Sequence, residues 1–367
     1  MPGYLNLMLL ALSAGATDWE WPASAEVCGR CHRAIHEAWK ESAHARAMES
    51  RLFQDALELA EQAGGAPARR LCLGCHSPVG VRVGDLGLRL KVSWEGITCD
   101  YCHSVREVNL ADGNPRVRVE FGPVKSGTLK EASPVAHGTE YSEVHRTALI
   151  CAPCHEYRNS LGFAVLTTFS EWEGSPAATS GSACQACHMA RVAGDVVDPK
   201  VKRASQAGVN LHSMPGSHSL EQLTRAVGVR LMTARESGQL RVTVEVMNRA
   251  AGHKVPTGSP LRQLPLQLEV EAYDGRRFTE QRTYGRLTVD ARGRALGLEH
   301  EVFLRGARDL SDTRLVAGET RQEQFRFPLA SGVQATVKAS LVYYYSPMAQ
   351  DERRQKVTFL QLRRLVK

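Results

Sequence analysis

The sequence has no cysteine after residue 187 and none outside one recurring pattern, so the C-terminal half contains no disulfide. It has no apolar run near the roughly 20 residues that a membrane-spanning helix requires, so no segment reads as a helical span. Charged side chains are absent from Met1 to Ala16, where Leu5–Leu12 form a short apolar run ahead of Ala14-Gly15-Ala16. That stretch resembles the apolar region and small-residue cleavage site of a signal peptide, and we expect it over residues 1–16. It lacks the basic opening of such a peptide, which fits a start upstream of Met1.

The ten cysteines are all used in five units in which two spacers separate the thiols and a histidine follows at once. The units are Cys28-Gly29-Arg30-Cys31-His32, Cys72-Leu73-Gly74-Cys75-His76, Cys99-Asp100-Tyr101-Cys102-His103, Cys151-Ala152-Pro153-Cys154-His155 and Cys184-Gln185-Ala186-Cys187-His188. This spacing reads as covalent haem attachment. Two thioethers fix the porphyrin edge, and the histidine beside the second becomes the proximal ligand of the iron. A zinc site has no reason to demand a histidine after every second cysteine, and a disulfide framework would not space its cysteines so uniformly. The cofactor expectation is five haem c, with His32, His76, His103, His155 and His188 proximal.

The formal charge of +7 would otherwise suggest a polyanionic partner. Five haems bring ten propionates against five ferric centres, leaving about +2 when oxidised and about −3 when reduced. Neither value is a nucleic-acid footprint. The expected partners are a redox donor and acceptor, with no nucleic acid, no membrane span, and a homo-oligomer or filament as an open alternative. Attachment of this type takes place outside the bacterial cytoplasm, so the expected location is periplasmic or cell-surface.

At 367 residues the chain is long enough for two domains, and its character changes near residue 225. The motif starts before it are 44, 27, 52 and 33 residues apart, which excludes a solenoid of fixed period. Helix-compatible stretches such as Ile35–Gln62 separate them, so residues 17–225 are expected to be a helix-and-loop pentahaem domain. In residues 226–367 the period is two: Leu240, Val242, Val244 and Val246 alternate with polar residues, as do Leu264, Leu266, Leu268 and Val270 before the turn at Asp274-Gly275. Phe325–Leu329 and Val337–Tyr343 suggest two further strands. The fold class expected is multidomain α+β, with an antiparallel, immunoglobulin-like β-sandwich after the cytochrome domain.

Thirteen histidines less five proximal ones leave eight: His36, His44, His137, His145, His212, His218, His253 and His300. His36, four residues after His32, would share the proximal face on a helix and cannot reach the opposite face of the same haem. His137 lies in a Pro- and Gly-containing interval able to reach a haem pocket. His253 lies between Gly252 and Pro256-Thr257-Gly258, a turn fit to hold a functional side chain. These two are preferred over His36, His218 and His300 as distal ligands.

Three segments then carry a likeness: Cys28–Ala45, with Trp39-Lys40-Glu41-Ser42-Ala43-His44-Ala45; Trp94-Glu95-Gly96-Ile97-Thr98-Cys99; and Cys184–Met189 with the later His212-Ser213-Met214-Pro215-Gly216. Together with His145, six residues before Cys151, they resemble the multihaem cytochromes related to the tetrahaem partner of hydroxylamine oxidoreductase. The resemblance spans roughly residues 25–220. It implies bis-histidine ligation, closely packed haem pairs and electron transfer, with His44, His145 and His212 as distal ligands. The five haems and the appended β domain depart from that pattern, which leaves the partnering of ligands open. Asn248–Gly258, with Arg262 and Asp274-Gly275, resembles a segment of β domains fused to multihaem cytochromes, some of them filament-forming.

The sequence thus leaves three functions in view: an electron carrier with its irons closed by histidine, a multihaem reductase of a nitrogen or sulfur oxyanion with one open haem, and a subunit of an extracellular filament. Met214 is the main alternative soft ligand. No catalytic residue is assigned, and an electron carrier rather than an enzyme is expected.

Overall fold

The computed structural model of the chain describes residues 20–110, 113–132, 134–201, 208–348 and 355–367, so the expected signal segment lies outside the described residues. All ten cysteines and all thirteen histidines lie within them.

The N-terminal half is built from short pieces around a hollow. Its attachment units sit on helical turns, including Arg51–His76, Cys99–His103, Ala152–His155 and Cys184–His188. Residues three apart on a helix share a face, so both thiols of a unit present to the same side. Apolar clusters here are small: Met48, Phe53, Leu57 and Leu73 form one, and Ala148, Ala152 and Phe169 another.

The expected helix over Ile35–Gln62 is interrupted. Arg33–Lys40 ends before His44, and a new helix starts at Arg51, capped by Ser50, whose hydroxyl accepts from Phe53 N at 3.4 Å. Ser42 accepts from Ala45 N at 3.1 Å. Serine side chains that capture nearby N–H groups compete with continued helix, and the helix propensity of the flanks does not override them. The second helix itself breaks at Gly65 (φ 63°, ψ −155°), two residues before Pro67. This half also holds small strand pairs beyond the helix-and-loop expectation: Val105–Asn109 with Arg116–Val119, Glu156–Arg158 with Ala164–Thr167, Arg191–Val192 with Val209–Asn210, and the parallel pair Val124–Gly127 with Gly138–Tyr141.

The C-terminal half contains two antiparallel sheets. One orders Thr320–Phe327, Gln239–Asn248 and Val227–Glu236; the other orders Arg308–Asp312, Arg277–Val289, Gln263–Ala272, Ala335–Tyr344 and Lys356–Val366. Three of the four stretches expected from alternation lie wholly in strands, and the fourth, Phe325–Leu329, leaves its strand after Phe327. Leu240, Val242, Val244 and Val246 of one sheet share a single buried cluster with Leu264, Leu266, Leu268, Val270, Val337 and Leu341 of the other. Alternate residues of a strand point to one face, which is why those apolar sets meet.

Polar contacts join the halves. Arg286, only 9% exposed, donates to Val165 O at 2.9 Å and Ala164 O at 2.8 Å while pairing with Asp309 at 2.8 Å. Arg314 meets Glu171 at 2.6 Å, with side chains 5% and 6% exposed. Glu171 also accepts from Lys254 N at 3.2 Å and Thr257 Oγ1 at 2.9 Å, so one carboxylate on the helix Thr168–Glu173 pins the loop that follows Asn248. Without Glu171, Arg314 keeps its ion pair with Asp312 at 2.8 Å, but Lys254 N and Thr257 Oγ1 lose a charged acceptor. Hydrogen bonds to a charged group contribute about 1.5–3 kcal/mol, so Glu171→Ala should lower the unfolding free energy by about 2 kcal/mol, read by denaturant titration of far-UV circular dichroism. A loss under about 1 kcal/mol would show that this carboxylate does not fasten the halves together.

Candidate haem cavity and its histidine pairs

The attachment units surround one continuous cavity of about 2870 Å³. Shared among five groups this is about 570 Å³ each, inside the range of roughly 300–1,000 Å³ that single-ligand pockets occupy. Cysteines and proximal histidines of every unit line it, and so do His44, His137, His145, His212, His253, His36, His218 and His300.

Four pairs of imidazoles face each other across it. Ring centroids are 6.1 Å apart for His32 and His137, 6.2 Å for His44 and His155, 6.3 Å for His103 and His212, and 6.4 Å for His188 and His253. A metal between two imidazoles at about 2 Å from each nitrogen needs ring centres about 6 Å apart. The residues present therefore fit the group that the sequence implies.

Hydrogen bonds select which nitrogen is bare. Nδ1 of His32 contacts Val196 O at 2.8 Å, of His103 Ser126 O at 2.7 Å, and of His188 Pro215 O at 2.6 Å. Nδ1 of His137 contacts Gly138 O at 2.8 Å, of His212 Asn210 O at 2.7 Å, and of His253 Lys254 O at 2.8 Å. A carbonyl only accepts, so each Nδ1 donates and each Nε2 keeps its lone pair for a metal. Burial pushes His44 and His76 down to about 4 and His103 and His155 down to about 3. These rings are neutral at pH 7, the form that ligates.

Local structure sets these positions. His44 sits in the turn after Arg33–Lys40, where its carbonyl accepts from Ile97 N at 3.1 Å and Trp39 Nε1 donates to Ile97 O at 2.9 Å. Gly96 (φ 65°) passes so close that a Cβ would lie 2.1 Å from His44 O, so only glycine permits this approach. His253 is held by Asn248 Nδ2, which donates to His253 O at 2.8 Å. At neighbouring Gly252 a Cβ would meet Ala177 Cβ at 2.8 Å.

His145 stands differently. It lies 5.6 Å from His103, but its Nε2 contacts Cys102 O at 2.8 Å and its Nδ1 contacts Ser142 Oγ at 2.9 Å. Cys102 O can only accept, so Nε2 carries the proton and neither nitrogen is bare. Among the described residues no imidazole lies opposite His76; Phe53 stacks on its ring at 3.7 Å. His218 stacks on Tyr345 at 4.6 Å, His36 lies 5.7 Å from Trp39, and His300 lies on the helix Glu299–Arg305. None of these three faces a second imidazole among the described residues.

The cysteines show how the units neighbour one another. Cys28 neighbours Cys99, Cys75 neighbours Cys154, and Cys151 neighbours Cys184 closely enough for each thiol to shift the other's titration. Tyr101, 6% exposed, sits within electrostatic reach of Cys75, Cys102 and Cys154. The fourth unit thus adjoins the second, third and fifth.

The family model for cytochrome c554 and c-prime matches residues 27–104. Cytochrome c-554 of Nitrosomonas europaea is 34% identical over 82 residues, which are 21% of this chain and 35% of that protein, so the chain matches about a third of that relative's length. The crystal structure of a penta-heme cytochrome c552 from Thermochromatium tepidum superposes with a TM-score of 0.73 at 23% identity, covering 94% of this chain and 99% of that one. The chain is similar to multihaem c-type cytochromes, in sequence over residues 27–104 and in fold over nearly its whole length. The family match holds the first three attachment units, the His44 turn and Gly96, whereas the likeness in fold covers 94% of the chain.

Sequence reasoning missed three participants: Phe53 against His76, Cys102 O against His145, and the pairing of Met214 with His44 described below. None carries a sequence signal of its own, because each arises from contacts between distant segments. His145 and His212 compete for the face of His103, and the bare Nε2 favours His212. His212→Ala should convert one haem to a high-spin form by absorption and electron paramagnetic resonance, whereas His145→Ala should leave every low-spin signal in place. The reverse outcome would assign the ligand to His145.

Proposed function

We propose that this chain transfers electrons through five covalently attached haems, outside the cytoplasm, between a redox protein donor and acceptor. The cysteine pairs at 28/31, 72/75, 99/102, 151/154 and 184/187 attach them. Four are closed by His32 with His137, His103 with His212, His155 with His44, and His188 with His253. The observation that carries this reading is the set of four imidazole pairs at 6.1 to 6.4 Å.

Bound haem supplies a one-electron couple at each site. The chain's own residues would hold four of the irons on two imidazoles each, orient six of those rings through Nδ1–H bonds to carbonyls, and keep water away by burial. Two strong axial ligands favour electron transfer over substrate binding at those four sites. The adjoining cysteines of the first and third, third and fourth, second and fourth, and fourth and fifth units support a continuous path. Residues 226–367, read as an immunoglobulin-like module from about residue 226, supply His253 and so close the fifth site. This makes the β domain part of the redox unit.

A second activity has one observation in its favour: among the described residues no imidazole faces His76. That haem is left with an open position, as binding or reduction of a small nitrogen or sulfur oxyanion requires. The test joins both readings. Intact mass should show five haems per chain, and carbon monoxide added to the ferrous protein should shift the spectrum of one. Four or fewer haems would overturn the five-site reading, and five haems with no carbon monoxide response would remove the second activity.

A further inference from the structure

We propose that the haem on Cys151, Cys154, His155 and His44 has the highest midpoint potential of the four histidine-paired sites, and that Met214 and Arg262 set it. This rests on the pairing of His44 with His155 given above.

Three pairs are supported alike. In the pairs of His32 with His137, His103 with His212 and His188 with His253, both Nδ1 atoms donate to backbone carbonyls at 2.6 to 2.8 Å. Such bonds draw the Nδ1 proton away from the ring, make Nε2 more basic and stabilise ferric iron. The fourth pair lacks that support. Nδ1 of His44 meets Sδ of Met214 at 2.8 Å, and a thioether is a weak acceptor. The His155 ring has no hydrogen-bond partner among the described residues. Weaker electron donation from both axial ligands leaves the ferric state less stabilised, which raises the potential.

Fixed charge acts in the same direction. The groups with the largest electrostatic effect on His155 are His44, His188, His253 and Arg262. Arg262 also lies within reach of Glu299, whose carboxyl burial pushes upward, toward the neutral form. Arg262 lines the cavity, donates to Thr257 O at 3.0 Å, and forms no ion pair among the described residues. Its guanidinium occupies the space left by Gly258, where a Cβ would lie 2.6 Å from Nη1. A cation in a low-dielectric wall opposes the added positive charge of oxidation. The site of His188 also has a nearby arginine, Arg225, but both of its imidazoles rest on carbonyls.

Met214 is placed for this contact at a cost. Its φ of 41° lies in the left-handed region, which a non-glycine residue adopts only when its surroundings hold it there. The segment around it touches three sites in four residues. His212 faces His103, Met214 meets His44, and Pro215 O accepts from His188. The fourth site also adjoins the second, third and fifth through its cysteines. An electron leaving a neighbouring ferrous haem oxidises that haem and reduces this one, so the site collects electrons at the junction with no external reductant.

The experiment is a spectropotentiometric titration of the fully loaded, full-length protein and its variants. His44→Ala identifies the component, since it should remove one member of the low-spin set, and in the parent protein that member should have the highest midpoint of the set. Met214→Gln places an amide carbonyl in reach of Nδ1, and Arg262→Gln removes the cation. Each should lower this one midpoint several-fold in oxidised-to-reduced ratio, a tenfold change being about 59 mV for one electron. Met214→Leu and Arg262→Lys should not lower it. If the component removed by His44→Ala is not the highest, or stays in place in Met214→Gln and Arg262→Gln, the proposal is wrong. If His44→Ala leaves the low-spin set intact, the pairing beneath it fails instead.

Discussion

A histidine can hold a buried iron only if it arrives neutral, with one nitrogen bare. Six of the facing imidazoles meet this condition in one way, by donating Nδ1–H to a backbone carbonyl. The requirement explains much of the irregular backbone. Acceptors such as Val196 O, Ser126 O and Pro215 O come from segments far along the chain, so loops and short strand pairs must be routed past each ring. The same rule separates His145 from its neighbours, because its proton sits on the nitrogen that a metal would need.

The N-terminal half has only small apolar clusters. The two sheets of the C-terminal half bury a larger core between them, and the loop after Asn248 lines the cavity. Glu171 and Arg314 fix the loop, and Arg286 fastens the strand Ala164–Thr167. A buried ion pair adds modest net stability against an apolar substitute. Its use here is positional, since a shift of the loop would move His253 away from His188.

Much of this was legible in the sequence, for identifiable reasons. The attachment units are local, so thiols and proximal histidine could be named from spacing. Four strands were legible because Leu240–Val246, Leu264–Val270, Phe325–Leu329 and Val337–Tyr343 bury one face. Strands such as Arg277–Val289, largely exposed over its first half, carry no such alternation. Facing histidines are tertiary facts. His44, His137, His212 and His253 were found by resemblance or by loop character and do face a second imidazole, whereas His145 resembled a ligand position and spends both nitrogens on the chain. The break at His44 was missed because helix formers on either side outweigh, in sequence, two serines whose hydroxyls capture backbone N–H groups.

The central claim is that four irons lie between two imidazoles each and one, on His76, does not. Near-infrared magnetic circular dichroism of the oxidised protein reads axial ligands directly through the energy of the low-spin charge-transfer band. The account predicts a bis-imidazole band with the intensity of four haems, beside the signature of one high-spin haem. Intensity for five bis-imidazole haems, or a band at the energy of histidine–methionine ligation, would contradict it.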